Sequence, residues 1–600
     1  MKALTLVLLA TVVAAAEDPG TLIGNGGLTG VADGYGGVTV CRWPGPGMNN
    51  QLGNGGVRWA VGGEGRVSWI GEATCESGPV QPLTPGVGTF LLAFPDGSTV
   101  IPQTFIAQED DVLVSHIRLY NLKQPPDLVW HADFSPSGVV LPELAGTGLV
   151  AERDFAAYVK DNRVYQFRPK GPGSKEWAAA AEADWEGFAE SEGVWIVAAS
   201  GQAVRASCGL SGAKSAVSHL ANSAAGDCDS ALFLRPQSAG DVYEATVFAG
   251  FGATRAEAEA AVNRVMGTDV EVLLAQATAY WARFAEAAQG RENVSEKNLA
   301  IIGMAIDRST GAFTRDPGRD GPALCYMRDC AWASMALDLA GHEQEAGRVL
   351  GFVASAVRKE QRRGKPVGSL PVAVYGDGTE ALPHLILDAD APAYALGGMW
   401  KHAAAIKDDG RRREFVESVW PSAALMADFL AGWTDSRNRE PLYSFDCRQG
   451  RDQQGPDRLL TTYMGVDAAL RLARASGRPE PEDWARRKVE LDALIRFQLV
   501  GRQDKTWKPG PILPYWHDLM AQDWVLNGSP LPSWDAAVED LLKSPSVEAA
   551  EAAATAALVW GNDKDRAADI TAAVEKARAD TPDLNALKAA ERIISEGCRL

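Results

Sequence analysis

The sharpest group of residues that could do chemistry is the segment 325–332, which reads Cys-Tyr-Met-Arg-Asp-Cys-Ala-Trp. Its adjacent charges, Arg328 and Asp329, open a segment that is otherwise apolar. Charges in such a place must be paired, or they must face a cleft. An arginine donates in a planar fork and an aspartate accepts, which suits two adjacent sugar hydroxyls. The pair therefore predicts a sugar-binding site or, alternatively, a helix cap with a salt bridge.

A second segment, 511–518, reads Pro-Ile-Leu-Pro-Tyr-Trp-His-Asp and has the character of a binding loop. It combines two aromatic rings, a histidine and a carboxylate between prolines. Aromatic rings are common wherever the apolar faces of sugar rings are bound. The alternative interpretation is that Tyr515 and Trp516 only pack the loop.

The segment around Arg328 and Asp329 resembles glycoside hydrolase family 15, the glucoamylase-like enzymes that include prokaryotic glucoamylases and glucodextranases. The resemblance extends from Tyr326 through 340–346, which reads Ala-Gly-His-Glu-Gln-Glu-Ala. Further stretches match the family in the same order and span roughly residues 20–500: 23–27, 42–44, 57–60, 67–70, 370–379 and 387–390.

The resemblance implies a multidomain α and β protein, in which an N-terminal antiparallel β-super-sandwich is followed by an (α/α)6 barrel. The active site of the family lies in the mouth of the barrel. Arg328 and Asp329 match the residues that hold the terminal sugar. Asp446 falls on the position of the general acid, where Phe445 replaces a tryptophan and Cys447 replaces a second glutamate.

The change from glutamate to Asp446 has a physical consequence. Inverting hydrolysis needs an acid and a base with carboxyl groups about 6.5–9.5 Å apart. Aspartate is one methylene shorter, so its carboxyl group falls back by roughly 1–1.5 Å, about one C–C bond. A displacement of about 1 Å can cost about a hundredfold in rate. The alternative interpretation makes Asp446 a loop carboxylate that pairs with Arg448 or Arg451.

No stretch resembles the catalytic-base motif of the family, and the barrel is expected to be shortened at its C-terminal end. Asp518 is the base candidate, with Asp523 and Asp535 as alternatives. Tyr326, Phe445 and Trp516 are expected to stack on sugar faces. The predicted function is that of an exported glucoamylase-like hydrolase, which removes terminal α-linked sugar from oligo- or polysaccharides. A missing base leaves two alternatives, a catalytically inactive carbohydrate-binding or sensing protein and a phosphorylase.

The elements that must position these residues change character near residue 250. Short alternating strands with glycine-rich turns precede it, and the helical period dominates afterwards. A hairpin is predicted where 88–94 meets the Pro-Asp-Gly turn 95–97. The predicted organisation is a signal peptide (1–16), a β-sandwich (17–252), a helical linker (253–290) and the barrel (291–600).

Composition limits the partners of the protein. The 77 acidic residues exceed the 58 basic ones and give a net charge of −19, which argues against nucleic acid as a partner. Residues 1–16 combine a lysine, a short apolar run and three consecutive alanines at 14–16, which predicts a signal peptide and a secreted or periplasmic protein. No later stretch is long and apolar enough to span a membrane.

The cysteines and histidines indicate neither a metal nor a cofactor. The eight cysteines contain no C-x-x-C pair, and the seven histidines are scattered, so no zinc site is predicted. Export permits disulfides, and closeness in sequence suggests the pairs Cys208–Cys228 and Cys41–Cys75.

Overall fold

The computed structural model describes residues 20–63, 66–71, 85–136, 156–169, 191–210, 215–218, 221–286, 296–318, 323–362, 364–381, 387–442, 445–446, 451–452 and 456–495. These residues form two compact units. The first contains the described residues up to Glu286, with Gly303–Ser309 and the described part of Asp316–Ala323. The second contains the described part of Ala287–Ile302, Thr310–Arg315 and the described residues from Leu324 onward.

Two antiparallel sheets make up most of the first unit. Their strands are β1 Thr21–Gly24, β2 Thr29–Ala32, β3 Val38–Arg42, β4 Leu52–Gly63, β5 Arg66–Trp69, β6 Val87–Thr89, β7 Leu92–Ala93, β8 Thr99–Ile106, β9 Val112–Tyr120, β10 Leu128–Phe134, β11 Ala156–Lys160, β12 Arg163–Pro169, β13 Gly193–Ala199, β14 Ala203–Leu210, β15 Ser223–Ala225, β16 Cys228–Leu234, β17 Gln237–Ala239 and β18 Val242–Gly252. The first sheet has the order β1-β2-β3-β4-β10-β16-β14, with β5 paired to β4. The second has the order β15-β11-β12-β13-β18-β9-β8-β6, with β17 on β18 and β7 on β8.

The predicted hairpin at the Pro-Asp-Gly turn is confirmed. Strands β7 and β8 pair with Leu92 opposite Val100. The Asp96 carboxylate accepts hydrogen bonds from the backbone N–H and the hydroxyl of Ser98, at 2.9 and 2.6 Å. The turn is therefore closed by the local side-chain bonding that aspartate offers.

One hydrophobic core contains side chains of both sheets. Trp59 and Trp130 from the first sheet pack in it with Leu119 and Ile196 from the second. These four side chains are at most 1% exposed. The alternating apolar residues of the strands thus form a core between two sheets, as expected for the predicted sandwich.

Two helices cover the other face of the second sheet. They are α2 Arg255–Met266 and α3 Val270–Glu286, which follow the short helix α1 Ser215–Ser218. Thr254 caps α2 by accepting a hydrogen bond from the backbone N–H of Glu257. Val262 and Leu273 pack with Trp195 of the sheet. The described part of the predicted linker, up to Glu286, therefore contains two helices and belongs to the first unit.

The second unit is built from helices and very short strand pairs. Its described elements, with the connecting helix α4 Glu296–Met304, are β19 Cys325–Tyr326, α5 Met327–Ala340, α6 Glu343–Ser355, β20 Ala373–Val374, α7 Asp390–Ala405, α8 Asp409–Gly432, β21 Phe445–Asp446, β22 Arg451–Asp452, α9 Pro456–Ala475 and α10 Glu482–Ile495. The sequence predicted a helical period in this part of the chain, and these helices confirm it.

These helices come in pairs joined by short connections. Helix α7 packs against both α5 and α9, while α6, α8 and α10 follow α5, α7 and α9 along the chain and pack on them. Helices α7 and α9 lie so close together that a Cβ atom on Gly465 would be only 2.7 Å from Cα of Ala393. Paired helices after a β-unit confirm the predicted order of sheets and helices. The complete (α/α)6 barrel includes residues beyond the described ones and stays a prediction.

The disulfide suggested between Cys208 and Cys228 is not formed. Strands β14 and β16 pair with Cys208 opposite Ser230, so Cys228 lies two residues away along its strand. Such diagonal neighbours are about 7–8 Å apart, beyond the reach of an unstrained disulfide. Closeness in sequence was therefore a poor guide to pairing. Cys75 lies outside the described residues.

Within the described residues, no helix has the length and apolar character needed to cross a membrane.

Candidate functional site

A strand pair fixes the point at which helix α5 begins. Tyr326 pairs with Ala373, and Cys325 pairs with Val374. The backbone N–H of Met327, the first helical residue, points to the carbonyl of Val372 at 3.4 Å. The pairing therefore places Arg328 and Asp329 in the first turn of the helix.

The carboxylate of Asp329 is held by Arg315. Nε and Nη2 of Arg315 lie 2.6 and 2.5 Å from Oδ2 of Asp329. The guanidinium carbon of Arg315 lies 4.4 Å from the centre of the Tyr326 ring. Asp329 is fully buried, whereas the Arg315 side chain is 24% exposed. These contacts agree with the salt bridge of the alternative interpretation, and they also bring an aromatic ring and a donor fork together.

Arg328 points towards the start of helix α7. Its Nη1 lies 3.7 Å from Oδ2 of Asp390, and its guanidinium carbon lies 5.7 Å from the centre of the Tyr394 ring. Asp390 and Tyr394 are four residues apart, which places them on one face of α7. The buried Asp388 supports this end of the helix, because its Oδ1 accepts hydrogen bonds from the backbone N–H groups of Asp390 and Ala391.

Helix α9 adds a third cation near its start. Nη2 of Arg458 lies 3.7 Å from Oε2 of Glu440. Burial lowers the pKa of Arg458, and the charges of Glu440 and Asp390 act in the opposite direction. The electrostatic influence of Asp390 thus reaches the start of α9 as well as that of α5.

Cys330, which follows the Arg-Asp pair, is not a nucleophile. Its thiol is completely buried and points to the carbonyl of Phe313 at 3.8 Å. Burial raises the pKa of Cys330 to about 12, and the nearby charge of Asp329 adds to this shift. The reactive form of cysteine is the thiolate, so this residue fills space in the helix core.

No three His, Cys, Asp or Glu residues of the described part of the chain are arranged as metal ligands. The groups at the start of α5 are of another kind. Guanidinium donors, carboxylate acceptors and aromatic rings lie within a few ångströms of one another there. These groups recognise polar ring compounds.

The structure places only some of the predicted site residues. Tyr326, Arg328 and Asp329 come together at the start of α5. Phe445 and Asp446 form β21, in which the backbone of Asp446 pairs with Arg451 and that of Phe445 with Asp452. Trp516 and Asp518 lie outside the described residues, as do Cys447, Arg448, Asp523 and Asp535.

Sequence reasoning missed several members of this cluster. They are Arg315, Tyr394 and Arg458. Asp390 lies in the stretch 387–390 that resembles the family, but no role was predicted for it. The signal was the pair of acids Asp388 and Asp390 at the start of an apolar helix, which suggests a cap and a buried charge. Arg315 carries no such signal, because it lies 14 residues before its partner Asp329 in an irregular segment.

The fold is similar to those of three carbohydrate-active proteins. A bacterial glucoamylase complexed with acarbose aligns with a TM-score of 0.57 and 13% identity, over 80% of this chain and 66% of its own. A protein described as a kojibiose phosphorylase, from the human microbiome, aligns with a TM-score of 0.56 and 10% identity, over 96% of this chain and 86% of its own. A GH92 α-mannosidase from Bacteroides thetaiotaomicron, in complex with mannoimidazole, aligns with a TM-score of 0.54 and 10% identity, over 96% of this chain and 81% of its own.

These likenesses show the fold alone. They do not single out family 15, because the three proteins have different activities. The chain spans 66% of the glucoamylase. No protein-family profile matches the sequence, and no curated protein shows significant sequence similarity to it.

Proposed function

We propose that the protein is a glycoside hydrolase that removes the terminal sugar from an α-linked oligo- or polysaccharide by inversion. The observation that carries the proposal is the cluster at the start of α5, on a fold that a glucoamylase and an α-mannosidase share. Tyr326, Arg328 and Asp329 meet there, together with Arg315 and Asp390. Arginine forks, carboxylates and aromatic faces are the groups suited to vicinal hydroxyls and to the apolar faces of a sugar ring.

In this proposal, Asp446 is the general acid that protonates the leaving oxygen. A second carboxylate activates water on the opposite face of the sugar, with Asp518 as the candidate. Support for Asp446 comes from the family resemblance, in which it falls on the position of the general acid. A general acid contributes about 10²–10⁴-fold to the rate.

The experiment compares Asp446→Asn with Asp483→Asn, a control on α10 whose side chain is 75% exposed. Both variants and the natural protein are incubated with maltotriose, kojibiose and an α-mannobiose, with and without inorganic phosphate. Binding is measured by calorimetry, and released sugar by chromatography. We expect Asp446→Asn to release sugar at least about a hundredfold more slowly while saccharide binding persists. Unchanged release in that variant would reject the role of Asp446.

Phosphorolysis is the second candidate function. It is motivated by the likeness to the protein described as a kojibiose phosphorylase and by the lack of a base motif. Phosphate takes the place of the activated water in such a reaction, so no base is needed. Product that forms only with phosphate present would favour it. Saccharide binding without any product would favour the inactive carbohydrate-binding alternative.

Export is part of the proposal and rests on the sequence of residues 1–16. The expected result is a mature chain that begins near Glu17 and is found outside the cytoplasm. Mass spectrometry of the protein from its native host tests this directly, and a full-length chain in the cytoplasm would reject it.

A further inference from the structure

We propose that Arg315 is a substrate-binding residue of the saccharide site and that Asp329 acts through it as a positioning residue. The inference rests on the proposed function and deepens it. It reassigns the direct contact, because the family resemblance gave that role to Asp329 and did not include Arg315.

The first observation is the difference in exposure among the three charges at this helix start. Arg328 and Asp329 are 1% and 0% exposed, whereas the Arg315 side chain is 24% exposed. A ligand contacts groups that reach solvent. Part of the Arg315 side chain does so, although its Nη2 is buried, and the two buried residues would have to move first.

The second observation is that Arg315 is oriented from two directions. The Asp329 carboxylate binds one edge of its guanidinium, through Nε and Nη2. The Tyr326 ring lies against its face at 4.4 Å. Tyr326 is itself fixed by pairing with Ala373. The planar group is therefore held before a ligand arrives, and preorganised donors lose less entropy on binding.

The same geometry changes the expectation for Tyr326. One face of its ring is covered by the guanidinium of Arg315, so a sugar cannot stack directly on that face. Arg315 would instead offer N–H donors to the hydroxyls of a sugar placed above it. A guanidinium fork spans two adjacent hydroxyls in the way it spans two carboxylate oxygens.

The pairing also defines the class of ligand. Asp329 lies 2.5 Å from the positive group and compensates its charge. A guanidinium whose charge is compensated by a carboxylate binds ligands mainly by donating hydrogen bonds, and it attracts anions less strongly. We therefore infer a neutral sugar with vicinal hydroxyls as the ligand, in preference to a uronate-terminated one.

The test must separate binding from folding. Arg315→Met would leave a carboxylate buried at Asp329 without this ion pair, which is strongly destabilising. The double variant Arg315→Met/Asp329→Asn removes both charges, and such replacements are often neutral for stability. Arg315→Lys keeps the charge but loses the planar fork.

The matched control is Arg478→Met/Glu417→Gln. Arg478 also lies over an aromatic ring, with its guanidinium carbon 4.8 Å from the centre of the Trp420 ring. It also binds a carboxylate, with Nη1 and Nη2 donating to Glu417 at 2.8 and 2.6 Å. Glu417 and Trp420 belong to α8, and Arg478 lies in the connection between α9 and α10. None of the three is a residue of the proposed site.

Dissociation constants are measured by calorimetry for whichever of maltotriose, kojibiose and α-mannobiose binds the natural protein most tightly. We expect Arg315→Lys and the Arg315/Asp329 double variant to bind at least about tenfold more weakly, while the control double variant binds normally. Binding by the double variant equal to that of the natural protein would overturn the inference. Failure of the natural protein to bind any of the three would instead reject the proposed function.

The positioning role of Asp329 has its own readout. Asp329→Asn removes the carboxylate charge that lies 2.5 Å from Nη2 of Arg315, so it should shift selectivity towards a glucuronate-terminated oligosaccharide and away from its neutral counterpart. If Asp329 had only a structural role, its replacement would weaken the binding of both ligands to the same extent. An unchanged ratio of the two dissociation constants would reject the positioning role.

Discussion

Nη1 of Arg328 lies 3.7 Å from Oδ2 of Asp390, and both side chains are at most 2% exposed. The contact joins the first turn of α5 to the first turn of α7. At this distance it is an ion pair rather than a direct hydrogen bond, and its strength depends on the low polarity of the surroundings.

Arg328→Met is expected to lower the free energy of unfolding by about 3–5 kcal/mol, because it leaves the buried Asp390 without this cation. Urea denaturation followed by tryptophan fluorescence measures the effect. The double variant Arg328→Met/Asp390→Asn should regain part of the loss. Stability of Arg328→Met equal to that of the natural protein would show that the pair contributes nothing.

Glu380 predicts a pH dependence of stability. It lies 2.6 Å from Arg358 and 2.8 Å from Lys365. Burial alone would raise the pKa of Glu380, but the hydrogen bonds and charges of Lys365 and Arg358 outweigh it and hold the pKa below its ordinary value of 4.5. The stability that Glu380 adds is therefore present above pH 4.5 and is lost as the pH falls through the lowered value.

The matching variant is Glu380→Gln, which cannot titrate. The natural protein should be more stable than Glu380→Gln at pH 7, and this difference should shrink as the pH falls below 4.5. Thermal unfolding of both proteins between pH 3 and pH 7 gives the comparison. A difference that stays constant over this range would contradict the assignment.

Cys330 should not react in the folded protein. Because burial raises the pKa of Cys330 to about 12, almost none of the thiolate exists at pH 8. Iodoacetamide treatment followed by peptide mass spectrometry should find Cys330 unmodified in the native protein and modified after denaturation. Rapid labelling in the native state would contradict its burial.

Two glycines have a left-handed backbone conformation, and replacing each with alanine allows the cost of backbone strain to be distinguished from the cost of a steric clash. Gly368 has φ +80° and Gly378 has φ +85°. A Cβ atom on Gly368 would collide with the carbonyl oxygen of Leu425, whereas the described structure leaves open space around Gly378. Gly378→Ala should cost about 1–2 kcal/mol from backbone strain, and Gly368→Ala at least about 3 kcal/mol. Equal losses in denaturant titrations would contradict this difference.

Local signals in the sequence were sufficient for the hairpin and for helix α5. The turn at Asp96 is closed by side-chain bonds to Ser98, two residues away. Helix α5 ends where Gly341 adopts φ +88° and its N–H bonds back to the last turn. Both the turn and the end of the helix depend on a few adjacent residues, so they can be predicted from local sequence.

Long-range partners could not be predicted in the same way. The strand pair that positions Tyr326 involves Ala373, and strands of two residues leave no periodic pattern. Nothing in the sequence indicates which arginine meets Asp329, because an ion pair depends on tertiary geometry. For the same reason, the register of β14 and β16 overruled the expected disulfide between Cys208 and Cys228.

The most direct test of the proposed hydrolysis is proton NMR of the first product released from the α-linked oligosaccharide that the protein binds most tightly, in buffer without phosphate. We expect a free sugar that appears first as the β-anomer, because an inverting hydrolase turns an α-linkage into a β-product. No release from any tested oligosaccharide, or a sugar 1-phosphate that forms only when phosphate is added, would contradict it.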